Sequence, residues 1–242
     1  MTEGQIVTFS FFEYHGIANK WWALKQMGDA SSQLKRIGNL NFFKLLGSGN
    51  GNGFSIMPDF GVYGLLCVWD SYKHAEQALL ETSVLRSMHK RSTHQLNVFL
   101  QPIKSKGSWD DLNPFHSEGV YEKGSPIAVL TRAKINFKKL GSFWKYVPKV
   151  SSKLKVFNKD IAFKKGIGEL PLVQQATFSI WRNREQMTNY AYRNPSHVEM
   201  IRKTRELGWY SEEMFVEFKL KKISQNWPDF NISAINTAIS DL

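Results

Sequence analysis

The chain carries one pattern twice. Val68-Trp69, at the end of an apolar β-rich run, returns as Ile180-Trp181, 112 residues on, and a long helical stretch follows each pair. Upstream, Ser31-Ser32-Gln33-Leu34-Lys35 returns as Ser151-Ser152-Lys153-Leu154-Lys155, and Phe43 returns as Phe163, both 120 residues on. One shorter loop in the second copy accounts for the difference between the two offsets. An internal duplication constrains a chain of 242 residues to two similar lobes of roughly 110 residues, an ordinary domain size. It also provides a control, because a place where one copy departs from the other is where function can have been added.

Each copy reads in the same order. In the first, residues 6–14 form a strand, 20–37 a helix, 42–46 and 62–69 two strands, 71–90 a helix and 95–103 a strand. Ala75, Ala78, Leu79, Thr82, Leu85 and Met88 recur near the 3.6-residue period, so they mark the inward face of the 71–90 helix. In the second, strands at 126–135, 161–165, 174–181 and 214–223 alternate with helices at 138–157, kinked at Pro148, and 185–207, interrupted near Pro195. Twice βαββαβ is the ferredoxin-like signature. The fold class expected is α+β, with tandem ferredoxin-like repeats at 1–103 and 125–225, a linker at 104–124 and a polar tail at 226–242. Two such sheets packed face to face make an intramolecular α+β barrel with its helices outside. A space between helix and sheet in one lobe is then a natural cofactor site.

Several functional classes find no support. The glycine and asparagine run at 47–53 reads as a hairpin loop; it opens no helix and lacks a Gly-Lys-Ser/Thr ending, so a phosphate cradle is not expected. The single cysteine, Cys67, excludes an internal disulfide, and there is no His-x-His, no His-Glu-x-x-His and no Gly-x-Ser-x-Gly. No stretch approaches the roughly 18 apolar residues of a membrane span. The first residues lack the basic and apolar regions of a signal peptide, so a cytoplasmic protein is expected. The net charge of +11 is lopsided: residues 1–120 hold 11 Lys and Arg against 10 Asp and Glu, whereas 121–242 hold 21 against 11. An anionic membrane surface, an anionic ligand or plain solvated lysines would each suit that second lobe. Nucleic acid is not expected, since no RNP1-like run is present.

The sharpest motif lies in the second long helix. Asn194 followed by Pro195 is a helix start, and His197 falls in its first turn. At an offset of 112, Asn194 matches Thr82, itself a suitable cap, so both copies restart the helix there, and His197 stands where the first copy has Leu85, a core leucine. A neutral imidazole facing a cavity can ligate haem iron; a buried histidine bonded to backbone is the plainer alternative. Arg193, Arg202 and Arg205 surround the helix start, and Trp209 follows. The arginines can neutralise cofactor carboxylates or pair locally with Glu199 and Glu206.

Phe178-Ser179-Ile180-Trp181-Arg182, Tyr190-Ala191-Tyr192-Arg193, His197 and Gly208-Trp209-Tyr210-Ser211-Glu212-Glu213-Met214-Phe215, with Phe54-Ser55-Ile56-Met57-Pro58-Asp59-Phe60-Gly61-Val62-Tyr63 in the first lobe, resemble the spheroidene monooxygenase family of carotenoid biosynthesis. The resemblance spans residues 6–223. It implies a haem-dependent oxygenase that hydroxylates a terminal carotenoid carbon and can carry it on to a ketone. It also implies the dimeric α+β barrel superfamily, which holds haem enzymes such as chlorite dismutase and aldoxime dehydratase. Carried onto this chain, it makes His197 the iron ligand of haem b, with Arg193, Arg202, Arg205 and Trp209 binding the cofactor. Its partners would be an apolar carotenoid-like substrate and an external electron donor; a homo-oligomer is compatible but not required. Such a substrate is dissolved in membrane. The 138–157 helix, with Lys145, Lys149 and Lys153 spaced four apart beside Trp144, could meet the bilayer peripherally, or could simply be a core helix with a solvated face. Two rivals stand beside this reading: a lyase of the aldoxime dehydratase kind, and a non-catalytic haem- or apolar-ligand-binding protein.

Overall fold

The first strand, β1 (Ile6–Glu13), alternates Val7, Phe9 and Phe11 on one face with Ile6 and Phe12 on the other, and nearly all of it is buried. A strand apolar on both faces needs a cover on both. The barrel interior takes one face and a helical layer takes the other. The computed structural model describes residues 4–51, 57–151, 159–193 and 195–235; the side chains of 147–151 and 195–197 also lie outside the described residues. After β1 come α1 (Ile17–Leu34), β2 (Leu40–Gly49), β3 (Pro58–Trp69), α2 (Tyr72–Glu81), α3 (Ser83–Arg91) and β4 (His94–Gly107). The second lobe has β5 (Ile127–Ile135), α4 (Leu140–Ser151), β6 (Ile161–Gly168), β7 (Gln174–Trp181), α5 (Arg184–Arg193), α6 (Pro195–Leu207) and β8 (Tyr210–Gln225).

The eight strands close one antiparallel barrel in the order β1-β3-β2-β6-β7-β5-β8-β4. Each lobe supplies four neighbouring strands, as the doubled βαββαβ order predicts. The two seams between lobes differ in length. Strands β4 and β8 pair from Leu96 opposite Gln225 to Gly107 opposite Met214. Among the described residues, β2 and β6 meet at Gly47 opposite Gly168 and Ser48 opposite Ile167. The expected loop at 47–53 is therefore strand as far as Gly49, and its first two residues, Gly47 and Ser48, make the second seam. Gly168 is fixed by its turn, because a Cβ there would stand 2.3 Å from the Gln174 carbonyl oxygen.

The structure corrects one detail of the duplication and bears out another. Both copies carry a bulge at the start of the β2-type strand, between Leu40 and Phe42 and between Ile161 and Phe163. With Trp69 and Trp181 superposed, the counterpart of Phe163 is Phe42, and the counterpart of Phe43 is Lys164; the 120-residue match is one residue out of register. The helix expected at 71–90 breaks at Thr82, which is extended (φ −75°, ψ 124°), as the second copy breaks between Arg193 and Pro195. Its inward stripe holds at Ala75, Ala78, Leu85 and Met88. Helix α4 runs on past Pro148, and residues 152–157 of the expected helix lie outside the described residues.

The barrel interior is filled by side chains. Phe9, Phe11, Phe163 and Phe178 stack and tilt against one another with ring centroids 4.5–6.4 Å apart. The segments expected as linker and tail close its ends. Trp109 and Phe115 from the first, and Trp227, Phe230, Ala234 and Ile235 from the second, pack onto the same core. The duplication extends to these caps: Trp109 meets Phe42 edge-on at 5.8 Å, and Trp227 meets Phe163, the counterpart of Phe42, edge-on at 5.6 Å.

Candidate functional site

The two lobes cover the outer faces of their sheets differently. In the first, the face is bulky and apolar: Phe12, Leu45, Tyr63, Leu65, Cys67 and Trp69 join Ala23, Ala30, Leu34, Leu85 and Met88 of the helices in one continuous cluster. In the second, the described residues form two patches. Ile127, Val129, Trp181, Met187 and Tyr190 form one patch under α5, and Ile135, Phe143 and Trp209 form another under α4. The strand registers show how the two sheet faces differ. Phe12, Phe43, Leu45, Tyr63, Leu65 and Cys67 are replaced in turn by Ala133, Lys164, Gly166, Gln175, Thr177 and Ser179. Each replacement is shorter or more polar. Ser10 on the central strand is 2% exposed, whereas its counterpart Thr131 is exposed to solvent. At these positions the second sheet thus has a floor, or trough, of smaller and more polar side chains where the first has a bulky apolar layer.

Lys164 is the unusual member of this floor. Its ammonium stands 5.9 Å from the centre of the Tyr190 ring, and no carboxylate pairs with it among the described residues. Burial pushes its pKa down to about 8. A lone ammonium beside a trough of this kind is suited to a carboxylate on a bound group.

The residues singled out from sequence fall around the trough rather than together. Position 197 lies in the first turn of α6, in helical register with Met200, Ile201 and Thr204, all half-buried; the side chain of His197 lies outside the described residues. Met200 packs with Trp209, Phe143 and Tyr146, and this contact holds α6 against α4. Trp209 is fully buried, stands edge-on to Phe143 at 5.6 Å and donates from Nε1 to Ser142 Oγ at 2.8 Å. Arg193, Arg202 and Arg205 are exposed, and Arg202 donates to both carboxylate oxygens of Glu206 at 2.7 Å. On α4, Lys145 is exposed and Trp144 donates to the Leu172 carbonyl, whereas Lys149 and Lys153 have no described side chain. No helix among the described residues is long and apolar enough to cross a membrane.

The barrel ends also differ. At one end Arg132, 1% exposed, pairs with Glu212, with Asp110 at 3.3 Å and with Glu169 at 3.7 Å, while Lys44 pairs with Asp110 and with Glu169. Trp109 donates to Glu169 at 2.7 Å and lies 5.2 Å beneath the guanidinium. Burial raises the Glu212 carboxyl, but Arg132 and the Asp111 and Ser108 donors more than offset it and hold it below the usual carboxylate range. At the other end an open cavity of about 340 Å³ is lined by Glu13, His15, His94, Lys165, Asp59 and Trp227, among others. Glu13 lies between the two imidazoles, 2.8 Å from His94 Nδ1 and 3.3 Å from His15 Nε2. Templates such as His-x-His do not find this group, because two of its members come from neighbouring strands paired across Glu13 and His94.

No protein-family model matches the chain. It is 34% identical over 224 residues to the spheroidene monooxygenase of Rhodobacter capsulatus, a match covering 92% of each chain. It is equally identical over 224 residues to the spheroidene monooxygenase of Cereibacter sphaeroides, covering 92% of this chain and 69% of that one. Among solved structures it is similar to an aldoxime dehydratase co-crystallised with butyraldoxime (TM-score 0.63, 8% identity, 98% of this chain and 87% of the other). A second aldoxime dehydratase structure matches with TM-score 0.62 at 10% identity, over 100% and 90% of the two chains. At these identities the structural likeness is one of fold alone.

Proposed function

Because the chain belongs to the spheroidene monooxygenase family, and is thereby an oxidoreductase, we propose that it is a haem-dependent monooxygenase of a carotenoid-like apolar substrate, with the cofactor seated in the trough of the second lobe. The observation that carries this reading is the exchange of Phe12, Phe43, Leu45, Tyr63, Leu65 and Cys67 for Ala133, Lys164, Gly166, Gln175, Thr177 and Ser179. Shorter side chains on that floor favour a flat apolar group between sheet and helix, and the polar ones offer it contacts, which supports the haem reading.

In this reading His197 holds the iron through a neutral imidazole, whose second ring nitrogen needs an acceptor to fix its tautomer. Lys164 meets a cofactor carboxylate from the floor, while Arg193, Arg202 and Arg205 serve the same groups from the rim. Trp209 acts from beneath: packed on Phe143 and Met200, it sets the height of α6 above the sheet. Haem supplies the activation of oxygen, with electrons from an external donor. The exposed Phe137, at the entry to α4 and followed by Lys138 and Lys139, is placed to touch an anionic bilayer from which an apolar substrate enters.

The test is the absorption spectrum of the haem-supplied protein beside His197→Ala, followed by turnover with a carotenoid. The expected result is a Soret band that is lost or shifted in the variant, with turnover requiring both oxygen and reductant. Full haem content and full activity in His197→Ala would refute the ligand assignment. Turnover of an aldoxime without oxygen would favour the lyase instead.

A further inference from the structure

We propose that Glu13, His15 and His94 form a second site, built on ligands other than His197, that binds one divalent first-row transition metal ion at the open end of the barrel. The argument starts from the strands. Glu13 closes β1, His15 follows two residues later, and His94 opens β4 directly opposite Glu13. The pairing of β1 with β4 therefore brings a carboxylate and two imidazoles together although 81 residues separate Glu13 from His94. One ligand atom from each lies within 4.8 Å of the other two, the single such group of three or more among the described residues.

The distances suit a shared ion. Two metal–ligand bonds of about 2.1 Å at octahedral or tetrahedral angles place their donors about 3.0–3.4 Å apart. Here His94 Nδ1 stands 2.8 Å from Glu13 Oε2 and His15 Nε2 stands 3.3 Å from the other carboxylate oxygen, Oε1, and the imidazole planes stand at 84° with centroids 5.7 Å apart. Two imidazoles and one carboxylate on one side of an ion leave the remaining positions open, and here they face the 340 Å³ cavity. Nitrogen-rich ligation favours zinc, iron, cobalt or manganese over calcium and magnesium, which take oxygen.

The duplication supplies an internal comparison. Trp109 and Trp227 are counterpart caps, and the strand registers make Lys134 and Glu212 the counterparts of Glu13 and His94. At the Trp109 end the charges close on one another through Arg132 and Lys44, and Trp109 is fully buried. At the Trp227 end Phe11 stands in place of Arg132, Lys165, the counterpart of Lys44, pairs with Asp59 at 3.4 Å, and the histidine–glutamate group lines an open mouth. His15 is more than half exposed, so an ion has access from solvent.

The test uses the untagged full chain, freed of metal, titrated with Co²⁺ alone and followed by its visible ligand-field absorption and by equilibrium dialysis. The expected result is one Co²⁺ per chain, bound at least tenfold more weakly in His15→Ala and in His94→Gln, and bound unchanged in His197→Ala. His15 is exposed, so His15→Ala keeps the fold and isolates the ligand effect. Failure of the wild-type chain to bind Co²⁺, or wild-type affinity in either His15→Ala or His94→Gln, overturns the site. Because His197→Ala is carried in parallel, the haem reading and this one stand or fall separately.

Discussion

Replacing Arg132 with methionine removes the one cation that, among the described residues, Glu212 touches in the sealed end of the barrel. Arg132 is 1% exposed, and its partners differ in what they lose. Asp110 is 44% exposed, and both it and Glu169 keep Lys44, whereas the Glu212 side chain is 9% exposed and keeps only the Asp111 backbone and Ser108 donors. Breaking a buried pair by removing one partner costs about 3–5 kcal/mol, and with a single carboxylate orphaned the lower end applies, about 3 kcal/mol. For a chain of this size each kcal/mol lowers Tm by about 2–4 °C, so a fall of roughly 6–12 °C is expected. The pH dependence follows from the depressed carboxyl. Its contribution is complete above the ordinary value of 4.5 and is lost as pH falls through the folded value. The gap between wild type and Arg132→Met should therefore be full at pH 7 and shrink below pH 4.5. Urea unfolding at pH 7 and pH 4 measures both. A loss under about 1 kcal/mol at pH 7, or an equal gap at both pH values, would refute the account.

Trp109→Ala should cost about 3–5 kcal/mol, and Trp227→Ala clearly less, because Trp109 is fully buried while Trp227 is half-buried beside the open cavity; paired urea melts read the difference, and equal losses would contradict the asymmetry of the caps. Gly107→Ala should destabilise by more than about 1 kcal/mol, since φ is +94° and a Cβ would stand 2.0 Å from the Glu213 carbonyl oxygen; calorimetry checks it. The cofactor-free chain should gain stability as pH rises from 8 toward 10.5, because the folded Lys164 has shed its proton while the unfolded lysine still holds one. Lys164→Met should lose that gain, and urea midpoints at pH 8 and pH 10 that move in parallel for the two proteins would rule it out.

The repeat made the element order and the barrel legible, because periodic strands and helices write their periods into sequence. The caps were hidden for the opposite reason. Trp109, Phe115, Trp227 and Phe230 are single aromatics in polar surroundings, and only tertiary contact turns such residues into core. The one-residue slip at Phe163 came from a bulge, which leaves no compositional trace. The trough could be sensed at Leu85 and His197 but not at Phe43 and Lys164, since its floor emerges only when the strands are aligned by their pairing. Glu13, His15 and His94 were invisible because their proximity is made by the β1–β4 ladder.

In a barrel assembled from two identical chains, every substitution arrives in both halves at once. A lysine placed in one sheet would stand in the other as well, and a hollow opened under one set of helices would be opened under both. The covalent passage from β4 to β5 removes that coupling. One half can then serve as a rigid buttress with its apolar layer intact, while the other is carved for a ligand. The molecule thereby acquires a front and a back, a polarity that no symmetric pair possesses.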